Sequence, residues 1–178
     1  MESRIKLLGH PVHQLLVPFP IGGFALSVAM DTWFAISGKR QHRNTARHAL
    51  DFGLITAIAA APFGAVDLLA VPPGTRAKRI GMSHALGNIV MLGLFATSRF
   101  MRRRGEASLA ARSISASAFA LSGLTAWLGG ELVVRHGIGV SDRAVEEQSK
   151  QLNDGSNGAP RTTRSAAPPK PRRSISHG

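Results

Sequence analysis

Apolar residues are collected into four long blocks along this chain. Residues 7–30, 52–66, 80–98 and 113–130 contain no Asp, Glu, Lys or Arg. A helix needs roughly 18 to 20 apolar residues to cross a bilayer, and the second block reaches that length when Leu50 and residues 68–71 are added. The pattern therefore predicts an all-α fold, an integral membrane four-helix bundle.

The spans are predicted to run from about Pro20 to Ile36, His48 to Val71, Ile80 to Ser98 and Ser113 to Arg135. Residues 9–22 contain several prolines, which lack an amide donor, so an irregular entry into the first span is expected. Small residues recur every four positions in two spans and predict helix-packing seams, at Ala57, Ala61 and Ala65 and at Ala118, Ser122, Ala126 and Gly130.

The composition changes after Val140, which divides the chain into a four-span domain, residues 1–140, and a basic Pro/Ser-rich tail, residues 141–178. From Asn153 onward the tail has almost no apolar side chains, so it is predicted to be disordered. Deletion of residues 153–178 is therefore expected to leave membrane insertion and bundle stability intact. Limited proteolysis in detergent checks this, because resistance of these residues to protease would contradict the prediction.

The net charge of +12 is concentrated in the loops beside the spans. No aromatic residues interleave these charges, so the pattern predicts contact with anionic lipid headgroups and no specific nucleic acid partner. We expect a multi-pass protein of the inner (cytoplasmic) membrane. The Lys and Arg counts of the two faces nearly tie, and the basic chain ends favour cytoplasmic termini.

Polar residues inside the apolar blocks provide the functional hypothesis. Because successive spans run in opposite directions, the start of spans 1 and 3 and the end of spans 2 and 4 share one membrane face. Ionisable groups within a membrane are costly and usually face the bundle interior and each other. Six such residues are predicted at this face: His10, His13, Asp67, His84, Glu131 and His136.

Three interpretations of this cluster stay open. The six residues could hold a His-bound metal ion, or two imidazoles could hold a b-type haem, with His84 the leading ligand and His13 or His136 the second. The charges could simply neutralise each other within a structural hydrogen-bond network. The cluster could also relay protons or a solute. No motif assigns an enzymatic activity or a catalytic residue, and the absence of Cys excludes thiolate ligands.

A second polar group lies at the opposite face, where Asp31, His48 and Asp51 are near Arg47. The predicted role is a salt-bridged cap, with Asp51 in the first turn of span 2.

Three segments carry a family resemblance: GHPVHQLLVPFPIGG at 9–23, VPPGTRAKRIGMSH at 71–84 and GGELVVRHGIGV at 129–140. They resemble the hallmark segments of a bacterial membrane family, the domain of unknown function 2231. The resemblance implies four spans. Because this domain is similar to one fused to Rieske-type iron-sulfur domains, it also implies an electron-transfer setting with a redox partner. A homo-oligomer is a further expectation.

Overall fold

The computed structural model describes residues 2–102, 107–139, 146 and 149–152. The elements of the bundle are β1 (Lys6–Leu7), β2 (His10–Pro11), α1 (Val12–Leu16), α2 (Pro18–Ser37), α3 (Arg40–Ala70), α4 (Arg76–Met101) and α5 (Leu109–Val134). Four helical stretches are long and apolar enough to cross a membrane, and α1 with α2 forms the first of them. The predicted all-α four-span fold is confirmed.

The entry to the first span is irregular, as predicted. β1 and β2 pair as an antiparallel hairpin. Its tight turn uses Leu8 and Gly9, both at positive φ, which suits the right-handed twist of the two strands. Val17 then separates α1 from α2, because Pro18 brings no amide donor to continue the first helix.

The helices extend beyond the predicted spans. α3 begins at Arg40 instead of near His48, since backbone hydrogen bonds continue through the charged loop. Asp51 consequently lies well inside α3, and its predicted place in the first turn is wrong. The start of α4 is fixed by Thr75, whose hydroxyl accepts a hydrogen bond from the Lys78 amide at 3.1 Å.

Two stacked aromatic rings lie at the centre of the bundle. The Phe24 and Phe95 ring centroids are 3.9 Å apart with an interplanar angle of 8°. Around them pack Leu50, Ala57, Met91 and Ala118. Large apolar side chains elsewhere on the helices are exposed, including Ile55, Ile58, Leu86, Ile89 and Trp127. An apolar exterior around a narrow core is what four lipid-facing spans require.

The bundle is built from two equivalent halves. α2 packs most extensively on α3, and α4 packs on α5. The first span, α1 with α2, corresponds to α4 at an offset of 71 positions. The equivalent side chains are His13 and His84, Phe24 and Phe95, Ser27 and Ser98, and Asp31 and Arg102. The second helices correspond at an offset of 65: Ala46 and Ala111, Arg47 and Arg112, Gly53 and Ala118, Ala60 and Thr125, Gly64 and Gly129.

The repeat is also legible in the sequence. GGFALSVAMD at 22–31 and GLFATSRFMR at 93–102 share Gly, Phe, Ala, Ser and Met at equal positions. Both halves run in the same direction, so the axis that relates them follows the membrane normal. Phe24 and Phe95 occupy equivalent positions and touch each other, which places their contact on this axis.

The predicted small-residue seams are wrong in their later positions. Ala57 and Ala118 are buried, but Ala61, Ala126 and Gly130 are exposed. A strict four-residue step rotates by about 40° relative to the helix at each repeat, so it leaves the contact face within two turns. The buried stripe of α5 mixes steps of three, four and seven: Ala111, Ser115, Ala118 and Thr125.

A pair of adjacent glycines gives a matched test of the packing between α2 and α3. A Cβ added to Gly23 would lie 2.9 Å from the backbone of Gly53, whereas one added to Gly22 meets nothing within 4 Å. Gly23→Ala is therefore expected to destabilise the bundle by about 1 to 3 kcal/mol. Gly22→Ala should be neutral or stabilising by up to about 1 kcal/mol. Thermal unfolding in detergent micelles checks the difference, and equal effects would contradict it.

Beyond the bundle, the chain divides at residue 142 into two units. In the second unit the described residues, 146 and 149–152, are helical, and Lys150 Nζ lies 3.5 Å from Glu146 Oε1. The predicted disorder of residues 153–178 concerns a segment that lies outside the described residues.

Candidate functional site

His13 is carried by α1 and held against α3. Its Nδ1 lies 3.1 Å from the carbonyl oxygen of Ala60. The imidazole occupies the space above Gly64, where an added Cβ would come within 2.7 Å of the ring. The absence of a side chain at position 64 is therefore what lets the ring lie against α3.

His84 repeats this arrangement in the second half. Its Nδ1 lies 2.8 Å from the carbonyl oxygen of Thr125 on α5. An added Cβ at Gly129 would come within 3.0 Å of the His84 ring. Thr125 and Gly129 are the repeat equivalents of the two residues that hold His13, so each half of the bundle contains the same histidine site.

The hydrogen bonds define which tautomer each ring adopts in its neutral form. A carbonyl oxygen can only accept, so Nδ1 carries the proton and Nε2 carries the lone pair. Asn88, one turn beyond His84 on α4, lies with its Nδ2 3.0 Å from His84 Nε2 and can donate to that lone pair. Among the described residues, His13 Nε2 has no hydrogen-bond partner. Histidines that bind a metal through one ring nitrogen commonly donate a hydrogen bond from the other nitrogen to a carbonyl oxygen.

Asp67 was predicted in the same cluster, but its carboxylate hydrogen bonds to residues near the N-terminus. The hydroxyl of Ser3 lies 2.8 Å from each carboxylate oxygen, and the Arg4 amide donates to Oδ1 at 3.0 Å. Ser3 is buried by this contact. Asp67 therefore fastens the N-terminal segment to α3.

Within the described residues, no hydrogen bond or ion pair joins the remaining predicted residues to His13 or His84. Glu131 pairs with Arg135, one turn later on α5, at 3.3 Å. His136 follows the end of α5, and its Nε2 is buried without a hydrogen-bond partner. His10 is exposed in β2. In the part of the chain that the structure describes, no three His, Asp or Glu side chains converge as a metal-binding group. The six-residue metal set stays a prediction.

The opposite face contains a polar network that sequence reasoning missed. Arg102, at the end of α4, donates to both carboxylate oxygens of Asp31 at 2.7 and 2.6 Å. The same guanidinium reaches Ser98 at 3.2 Å and Ser115 at 3.1 Å. The Asp31 and Arg102 side chains are only 5% and 2% exposed. This buried network joins α2, α4 and α5.

A second ion pair at this face joins α3 to α4, between Asp51 and Arg99. Asp31 and Asp51 thus form salt bridges, but no helix cap, and their cations come from the end of α4 and not from Arg47. The signal that could have found the partner is the repeat, because Asp31 and Arg102 hold equivalent positions in the two halves.

A family model described as predicted membrane protein (DUF2231) matches residues 9–142. No curated protein matches the chain. No solved structure matches it either.

Proposed function

We propose that this chain, which belongs to the DUF2231 family of predicted membrane proteins, binds a b-type haem between His13 and His84 and serves in electron transfer within the bilayer. The observation that carries the proposal is the matched anchoring of the two imidazoles. Each Nδ1 donates a hydrogen bond to a carbonyl of the neighbouring helix. The Nε2 atom of each neutral ring then keeps its lone pair and is available to bind iron.

The number of ligands favours haem over a bare metal ion. A structural or catalytic zinc site needs at least three protein ligands, and the described residues provide no group of three. Haem needs only two axial protein ligands, since the porphyrin supplies four nitrogens of its own. A bound haem would supply a one-electron redox centre, and a membrane partner that donates or accepts one electron is part of the proposal.

The protein's contribution would be orientation and electronic tuning. The carbonyl oxygens of Ala60 and Thr125 restrict rotation of the two rings and increase the basicity of their Nε2 atoms. The glycines at 64 and 129 let both rings lie close to the helices that hold them. Asn88 would have to release His84 Nε2, which makes this amide the side chain that moves on binding.

The second candidate function is a structural network, and the Asn88 contact favours it. His84 has both ring nitrogens within hydrogen-bond distance of a partner in the described structure. Each histidine would then serve only to join two helices across the bundle.

An optical spectrum of the purified, detergent-solubilised protein with elemental analysis separates these functions. The haem proposal expects a Soret band with sharp reduced bands and about one iron per chain. Stoichiometric metal without a Soret band would indicate a different metal centre. If the protein expressed with added haem precursor contains neither haem nor metal, the structural network is the function that remains.

A further inference from the structure

Two arginines lie at the same membrane face as the Asp31–Arg102 network, and the Nε atom of each lacks a hydrogen-bond partner among the described residues. Arg47 on α3 and Arg112 on α5 each have a buried Nε without a hydrogen bond. They occupy equivalent positions of the two halves, 65 residues apart. Neither forms an ion pair with a carboxylate of the described residues, because Asp31 and Asp51 pair with the end of α4. The Nε atoms themselves are closed to an external anion, but each side chain is only partly buried, and the terminal nitrogens of an unpaired guanidinium are suited to bind one.

A groove lies between α3 and α4, and its lining begins one turn after Arg47 on α3. It has a volume of about 450 Å³ and is lined by Asp51, Leu54, Ala96, Arg99 and Phe100. Arg47, Asp51 and Leu54 follow one another at helical spacing, so Arg47 lies at the end of the same face. Asp51 does not repel an anion there, because Arg99 neutralises it. Three apolar side chains and one neutralised ion pair line the groove, and Arg47 lies one turn away on α3. This combination matches an acyl chain joined to a phosphate.

Arg112 has a corresponding environment in the other half. Its guanidinium lies 5.6 Å above the ring of Phe34 on α2, so a cation is held against an aromatic side chain. Trp33, next to it on α2, is exposed, as are Ile36 and Leu109. Apolar side chains directly beside the cation place it at the depth of lipid headgroups.

We infer that Arg47 and Arg112 are two equivalent phosphate-binding residues for anionic phospholipids, with an acyl chain seated in the groove between α3 and α4. The source of the phosphate is a lipid and not a soluble anion, because the lining of the groove is largely apolar and opens along membrane-spanning helices. This inference does not depend on haem binding.

Native mass spectrometry of the full chain in detergent tests the inference, with phosphatidylglycerol and phosphatidylcholine as probes. The double variant Arg47→Gln/Arg112→Gln is expected to bind phosphatidylglycerol about 30-fold more weakly at each site, because each site loses the charge-assisted hydrogen bonds that one guanidinium donates directly to the phosphate. The matched control is Lys39→Gln/Arg40→Gln, which removes equal charge at two exposed positions of the same face. It is expected to change the affinity by less than about threefold. Equal losses in both double variants would overturn the assignment in favour of diffuse surface charge.

Two further measurements test the acyl chain and the source of the phosphate. Ala96→Trp places a large side chain in the groove at an exposed position. It should weaken phosphatidylglycerol binding while the unfolding temperature stays close to that of the wild type, and unchanged binding would overturn the groove assignment. Millimolar glycerol 3-phosphate should not displace the lipid. Displacement by this soluble anion would overturn the lipid as the source.

Discussion

Replacing Arg102 with methionine is expected to destabilise the bundle by about 3 to 5 kcal/mol, because Asp31 would be left as an uncompensated buried charge. The carboxylate accepts two hydrogen bonds from the guanidinium and is 5% exposed. The nearby serines cannot replace that partner, since Ser98 donates to the Ala111 carbonyl at 2.7 Å. Chemical or thermal unfolding in detergent micelles measures the loss.

The neighbouring ion pair supplies the control. Arg99 and Asp51 have side chains 29% and 34% exposed, so Arg99→Met is expected to cost about 1 kcal/mol or less. The double variant Asp31→Leu/Arg102→Met should recover most of the stability, because a buried ion pair replaced by apolar groups is often neutral or stabilising. Similar losses for Arg102→Met and Arg99→Met would show that burial does not govern this network.

The sequence was sufficient for the four spans and for the approximate depth of the polar residues. Charge-free blocks of bilayer length leave few alternatives to spanning helices. The prediction that His13 and His84 approach the same face rested on the alternation of span direction. In the structure each imidazole is held by the equivalent carbonyl of its own half, which agrees with it. Length and direction are properties of the chain itself, which explains why they could be predicted.

The partners of the polar side chains could not be predicted in the same way. Arg102 stands in a run of four cations interrupted by no acid, which indicates a solvated loop, yet the structure buries it against Asp31. Asp67 was expected in the same cluster as His84, but its carboxylate accepts a hydrogen bond from the hydroxyl of Ser3 instead. Such pairings depend on the rotation of each helix about its axis, and apolar blocks exposed to lipid on several sides do not fix that rotation.

The internal repeat would have supplied the missing information. Aligning Phe24 with Phe95 fixes the rotation of α2 relative to α4, and it brings Asp31 opposite Arg102. The same alignment pairs His13 with His84, and the alignment of the second helices at an offset of 65 pairs Gly64 with Gly129. The two halves differ in charge at the ends of their first helices, where one has an acid and the other a base. The charge pair therefore joins the halves in one arrangement.

His84→Asn is expected to abolish haem binding while leaving the unfolding temperature nearly unchanged. The asparagine amide can reach the position of Nδ1 and donate to the Thr125 carbonyl, so the contact with α5 is kept, but no Nε2 remains to ligate iron. His13→Asn should have the same effect through the Ala60 carbonyl. His48→Ala is the control, because His48 is exposed and precedes Ala60 by 12 residues, which is about 18 Å along α3. The absorbance at the Soret maximum per mole of protein measures the result.

Equal haem content in the wild type and His84→Asn, or no haem in either, would end the electron-transfer proposal. The two histidines would then be paired hydrogen bonds that join α1 to α3 and α4 to α5, and His84→Leu should destabilise the bundle where His84→Asn does not, because it leaves no donor for the Thr125 carbonyl.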